Sequence, residues 1–195
     1  MYKKNHLHLV LLFALIATST QYLRAQTAPA PIPSSDATLV KQVGKAGAFY
    51  MKRANQIIGS SFFYAFGTVD DVYKDQEVVT MTLSFHLPGN VLKQPDTVNI
   101  SITTKSTDTK YTLNHKLKLL ADAKVIVDTE TSVKMARREG TKYATEIFEF
   151  HDLGFKQLEE LSKAKNIVMQ LGDTKLVLGD EQSKALRDFY ELTAN

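Results

Sequence analysis

The chain has no cysteine and no tryptophan among its 195 residues. Without cysteine no disulfide can brace the fold, and thiolate metal sites and thiol chemistry are excluded. Proline is scarce, five in all, and three of the five sit together at Pro29, Pro31 and Pro33. None follows Pro95, so the second half of the chain has no proline-rich linker. Long apolar runs are missing as well. Leu9–Ala17, LVLLFALIA, rises only about 14 Å as a helix against a membrane core of about 30 Å.

That short run suits an export signal instead. Met1–His8 carries Lys3 and Lys4 and no acid, and Ala25 supplies a small residue before a cut. A basic start, a short apolar core and a small-residue exit mark a secretory signal peptide. No cysteine follows the core, which excludes lipid attachment there. The expected organisation is a signal peptide at 1–25, a Pro/Ala/Ser-rich tether at 26–35 and one α+β domain at 36–195. The expected location is secreted or periplasmic, in a bacterial cell envelope.

Removing residues 1–25 takes away Lys3, Lys4 and Arg24 and leaves 21 basic residues against 21 acidic ones. A neutral chain has no overall field for nucleic acid, so no nucleic-acid partner is expected, and no membrane span after cleavage. The densest basic stretch, Lys134–Lys142, reads as the solvated rim of a hairpin. The sequon Asn99-Ile100-Ser101 reads as a chance match within a strand.

Spacings of three and four over Asp36–Ile58 predict an N-terminal helix, with an edge strand at GAFYMKR as the alternative. Beyond it the period falls to two. Val78–Leu87, Val98–Thr104 and Tyr111–Leu119 each alternate apolar and polar residues, as an antiparallel sheet with one covered face requires. Lys105–Lys110 reads as the turn joining the last two. A further hairpin is predicted from Thr131–Arg138 through Glu139-Gly140 to Lys142–Phe150. Phe62–Val69 is apolar on both faces, the mark of a central strand or one lining a cavity. Asn166–Leu171 and Thr174–Leu178 read as a hairpin about Gly172-Asp173. Helices are expected after Asp152 and Asp180, each acid acting as a cap, 28 residues apart. The fold expected is a curved, largely antiparallel sheet of about seven or eight strands. Two C-terminal helices and the N-terminal one cover one face; a sandwich with terminal helices is the alternative.

The charges of Gly172–Leu192 all find structural posts. Asp173 belongs to a turn and Asp180 and Glu181 to a helix start. Asp180–Lys184, Lys184–Asp188 and Arg187–Glu191 are spaced for outer-face ion pairs. Histidines His86, His115 and His151 lie on separate elements with no metal-ligand spacing, so no metal and no cofactor are expected. His115 stands out because its strand phase places it among Tyr111, Leu113 and Leu117. No serine lies in a nucleophile elbow and no glycine-rich phosphate loop occurs. Aromatics do cluster: Phe49, Tyr50, Phe62, Phe63, Tyr64 and Phe66 fall within eighteen residues. The reading is a non-catalytic binding or structural protein, its partner an unknown protein. The alternative is a carrier of a small apolar ligand held by Phe62, Phe63, Tyr64, Phe66 and His115. An enzyme with a site assembled from scattered residues comes third.

Overall fold

The computed structural model describes residues 36–194 apart from 69, 72–75, 108, 112 and 138–143. Among them the fold is α+β, with eleven strands in two antiparallel sheets and two helices. The strands are β1 (Ala37–Val43), β2 (Ala46–Met51), β3 (Gln56–Phe66), β4 (Val78–Pro88), β5 (Thr97–Ser106) and β6 (Lys116–Ala121). Then come β7 (Lys124–Glu130), β8 (Ser132–Arg137), β9 (Ala144–Gly154), helix α1 (Phe155–Lys163), β10 (Ile167–Leu171), β11 (Thr174–Leu178) and helix α2 (Asp180–Thr193). The larger sheet runs β1-β2-β3-β4-β5-β9-β8 and is not closed; the smaller runs β11-β10-β6-β7. One buried cluster draws side chains from both sheets and both helices, from Leu83 and Phe148 to Met169 and Phe189.

Period two delivered β4, β5, β10 and β11 nearly to the residue, and the β8–β9 pairing as well. The turn assigned to Glu139-Gly140 lies outside the described residues. Of the strand expected at Phe62–Val69, Phe62–Phe66 belongs to β3, which lies between β2 and β4 and begins earlier, at Gln56. Gly67 and Thr68 are outside it, and Val69 lies outside the described residues.

The N-terminal helix is corrected to a hairpin. β1 and β2 pair from Val43↔Ala46 to Ala37↔Met51 about the two-residue turn Gly44-Lys45. Gly44 holds φ +54°, and a Cβ there would lie 1.9 Å from an Asp188 carboxylate oxygen. Ala46 and Ala48 are fully buried where α2 lies against this hairpin, and their small side chains let the helix approach. Apolar spacings of three and four here came from two strands joined by a tight turn.

The strand expected from Tyr111 begins only at Lys116, and it does not pair with β5. Both edges of β5 are already taken by β4 and β9, so β6 opens a second sheet. The connecting loop is fixed by a side chain in place of a strand. The fully buried Glu146 carboxyl accepts the backbone N–H of Lys110 at 2.9 Å and of Tyr111 at 3.2 Å. Tyr111 is buried, but Leu113 stands fully in solvent, contrary to its expected inward phase. β7 was not anticipated. It follows a tight turn in which Asp122 and Ala123 both adopt positive φ, with neither the Asn-Gly nor the Asp-Gly pair that usually signals such a turn.

Both expected acidic caps are corrected too. The helix N-caps are Gly154 and Gly179, Asp152 lies in β9, and Asp180 is the first helical residue without a side-chain capping bond. The recurring unit is therefore Gly-x-x-Gln at a spacing of 25 residues rather than 28. Gln157 accepts the Gly154 N–H and donates to the Ile126 carbonyl of β7. Gln182 donates to the Tyr64 carbonyl of β3 at 2.7 Å. Each glutamine ties a helix start to a different sheet.

Candidate functional site

The aromatics singled out in the sequence separate. Phe63 and Tyr64 are buried, Phe62 is half-buried and stacks edge-on to Tyr64 at 5.4 Å, and Phe66 is half exposed. Phe62, Phe63 and Tyr64 line one side of an open cleft of about 390 Å³; Phe66 does not. The Gly44-Lys45 turn forms one end, and Gln182, Lys184, Ala185 and Asp188 of α2 form the facing wall. Asp188 is buried and not on the outer face as its spacing implied. Its carboxylate takes the Lys184 ammonium at 2.7 Å. A cleft half aromatic and half ionic suits a guest with both apolar and polar groups.

This cleft exists because β2 is shorter than β3. β4 pairs with β3 from Gln56 to Phe66, whereas β2 pairs only from Gln56 to Ser60. Past the Gly44-Lys45 turn one edge of β3 has no neighbouring strand. Asn55 O accepts the Gly89 N–H across the β4 side, so odd-numbered residues of β3 bond to β4. Even-numbered ones direct N–H and C=O to the opposite side. Tyr64 O is therefore aimed into the cleft, where the Gln182 amide meets it.

His115 lies elsewhere, just before β6. Its Nδ1 is 3.5 Å from a Glu130 carboxylate oxygen, and the imidazole is only part exposed. His86 is exposed on β4, and His151 on β9 contacts Asn99 and Glu149. The three do not meet. Ser61 Oγ is sealed in the core with no hydrogen-bond partner, so no base among the described residues can activate it. No group of three or more His, Asp or Glu side chains among the described residues is placed to hold a metal ion. No helix among them is long and apolar enough to cross a membrane.

A Glu77–Lys110–Tyr111 cluster secures the loop between the sheets. Lys110 Nζ is 2.9 Å from Glu77, and Tyr111 donates its hydroxyl to the same carboxylate at 3.0 Å. Burial pushes the Tyr111 hydroxyl pKa up, and the bond to Glu77 holds the Lys110 ammonium pKa up. Both act to stabilise the loop, and neither faces the cleft.

Sequence reasoning missed a second surface. On the outward face of the smaller sheet, Val177 pairs with Val168, Val168 with Leu120, and Leu120 with Val125. Paired residues share a face, so four aliphatic side chains form one row across all four strands. Val177 is 70% and Val125 48% exposed. The next row, Lys175, Gln170, Lys118 and Asp128, is polar. Asp128 bridges Lys116 at 2.7 Å and Lys118 at 3.1 Å, and these bonds hold its carboxyl below the usual range. Alternation within a strand shows one apolar residue among outward polar ones. That four of them align is visible only through the register.

Comparison with protein-family models, with curated proteins and with solved structures finds no match.

Proposed function

We propose that the chain is an exported, non-catalytic binding protein of the bacterial cell envelope, and that it engages a protein partner through the outward face of the smaller sheet. The row Val177–Val168–Leu120–Val125 carries this reading. An aliphatic centre bordered by Lys175, Lys118 and Asp128 has the layout of an interface, with an apolar core and a polar rim. Exposed aliphatic side chains are ordinary singly, but an aligned row is the pattern that marks a contact surface. Ionised groups elsewhere serve the fold: Lys184 with Asp188, Glu159 with Lys163, Glu77 with Lys110.

The test is capture from envelope extracts by immobilised mature chain, wild type against a Val125→Thr/Val177→Thr double variant. Threonine preserves strand propensity while removing apolar surface. A partner retained by the wild type and lost by the double variant, at equal thermal stability, supports the reading. Equal capture by both abandons it.

A further inference from the structure

The free edge of β3 has the geometry of a slot for one more strand. β2 stops at the Gly44-Lys45 turn, while β3 continues beside the cleft. Phe62 shares the parity of Tyr64, so its N–H and C=O also face the cleft. No hydrogen bond of the described residues reaches them from that side. Gln182 already behaves as a fragment of the missing strand, its amide donating to Tyr64 O as a backbone N–H would. Adding an extended peptide to such an edge is an established mode of recognition, and main-chain hydrogen bonds supply its affinity.

The chain itself carries a peptide of the required chemistry. In Ala28–Ser34, APAPIPS, prolines occupy every second position. In an extended strand, residues of one parity direct their backbone groups to one side. Ala28, Ala30, Ile32 and Ser34 keep their N–H groups, so one side of this segment is a complete set of donors and acceptors. Pro29, Pro31 and Pro33 face the other way, where an outermost strand needs no donor. A residue paired with Phe62 shares its face, which sets an Ile32 side chain beside Phe62 and Tyr64. The flanking proline rings then fall on the inner face, towards Phe63 and Ala185, whose small side chain leaves room.

We infer that the β3 slot receives the segment Gln26–Ser35 of a second copy of this chain. The segment of the same copy does not reach. It joins the fold at Asp36, seven residues of β1 away from the turn that opens the slot, about 23 Å of strand. With Ile32 beside Phe62, only four residues, at most about 14 Å extended, link it to Asp36, short of that 23 Å. Such exchange closes a dimer where it is reciprocal and propagates into open chains where it is head to tail. This inference is independent of the aliphatic row on the smaller sheet.

The experiment adds a fluorescent peptide of residues 26–35 to the mature chain and follows anisotropy, with amide shifts mapped by NMR. Saturable binding is expected, with shifts at Phe62, Lys45 and the Gln182 side chain. A peptide carrying Ile32→Pro lacks a donor on the pairing side and binds about tenfold more weakly; Pro31→Ala alters the outward side and binds within about twofold. Sedimentation of the mature chain alone shows mass rising with concentration, reversed by excess peptide. No saturable binding, equal binding of both altered peptides, shifts at Val168 and Val177 instead, or a mass independent of concentration each overturns the proposal.

Discussion

The two sheets share one core but differ on the faces they turn outward. Across strands β4, β5 and β9 of the larger sheet the outward rows are polar: Ser84 and Asn99 in one, Thr82, Ser101 and Glu149 in the next. Towards β1 they turn apolar, with Phe62 beside Thr82 and Leu39, Phe49 and Ile58 aligned. Across the smaller sheet a row of the same kind is valine, valine, leucine and valine. Both sheets bury their inner faces against the same cluster, so the fold is served equally by either kind of outer surface. Strands β4, β5 and β9 carry hydroxyl-rich outward rows, so this fold does not need an aliphatic row on every outward face. What sets the aliphatic row apart is that it crosses every strand of its sheet and leaves Val177 70% exposed.

The comparison breaks most violently at the inner faces, where the sheets are alike. Leu83→Ala in β4 and Met169→Ala in β10 both empty fully buried positions, and each should cost about 2–5 kcal/mol in chemical denaturation. Costs of similar size would establish that the smaller sheet is as integral as the larger. A Met169→Ala cost under about 1 kcal/mol would make it a loosely held appendage.

Next in size is Gly44→Ala, at the hairpin that α2 packs against. The left-handed backbone and the approach of Asp188 both oppose a Cβ, and a loss above about 1 kcal/mol is expected. Thermal melts would read it directly. A neutral outcome would mean that the helix and hairpin shift apart freely.

Tyr111→Phe probes the loop that joins the sheets. It keeps the ring against Phe148 and removes the hydroxyl bond to Glu77, for a loss of about 0.5–1.5 kcal/mol at neutral pH. The pH dependence has a definite sign. The folded pKa of Tyr111 is raised, so its contribution is complete below the unfolded value of about 10 and is lost as pH rises through the folded one. Melting temperatures between pH 8 and pH 11, on the order of the phenol range, should fall more steeply for wild type than for Tyr111→Phe. Parallel curves would remove Tyr111 from the anchor.

Smallest is the exchange of outer surfaces. Thr82→Val in the larger sheet and Val168→Thr in the smaller should each stay within about 0.5 kcal/mol in the same melts. A large loss for Val168→Thr alone would mean that the aliphatic row is needed for folding after all.

Much of this architecture was legible in the residues because period two survives burial on one side. Val79, Met81, Leu83, Phe85 and Leu87 alternate so regularly that β4 could be drawn from the sequence to within one residue. What was lost are contacts of long range. Leu39, Val43, Ala46 and Tyr50 imitate a helical spacing because two short strands meet at a turn. Tyr111–His115 continues the alternation of β6, yet Glu146, 35 residues away from Tyr111, claims the backbone first. Ala123 gives no hint of its left-handed turn. The aromatic concentration at Phe62–Phe66 was visible, but its cleft depends on where β2 ends and on a glutamine 118 residues beyond Tyr64. The aliphatic row is the same kind of loss, since no single strand contains more than one of its members.

Lys41 joins the ends of the described chain. From the outermost strand of the larger sheet it donates to the carbonyls of Glu191 and Ala194, where α2 finishes. A cation at that end also offsets the helix dipole. The first strand is thus locked by the last turn of helix, 150 residues later. During synthesis the β1–β2 hairpin must wait, its inner face uncovered, until the residues of α2 have emerged. A chain made from its N-terminus completes these contacts only once α2 is free to fold, so the timing of closure is written into which lysine holds which carbonyl.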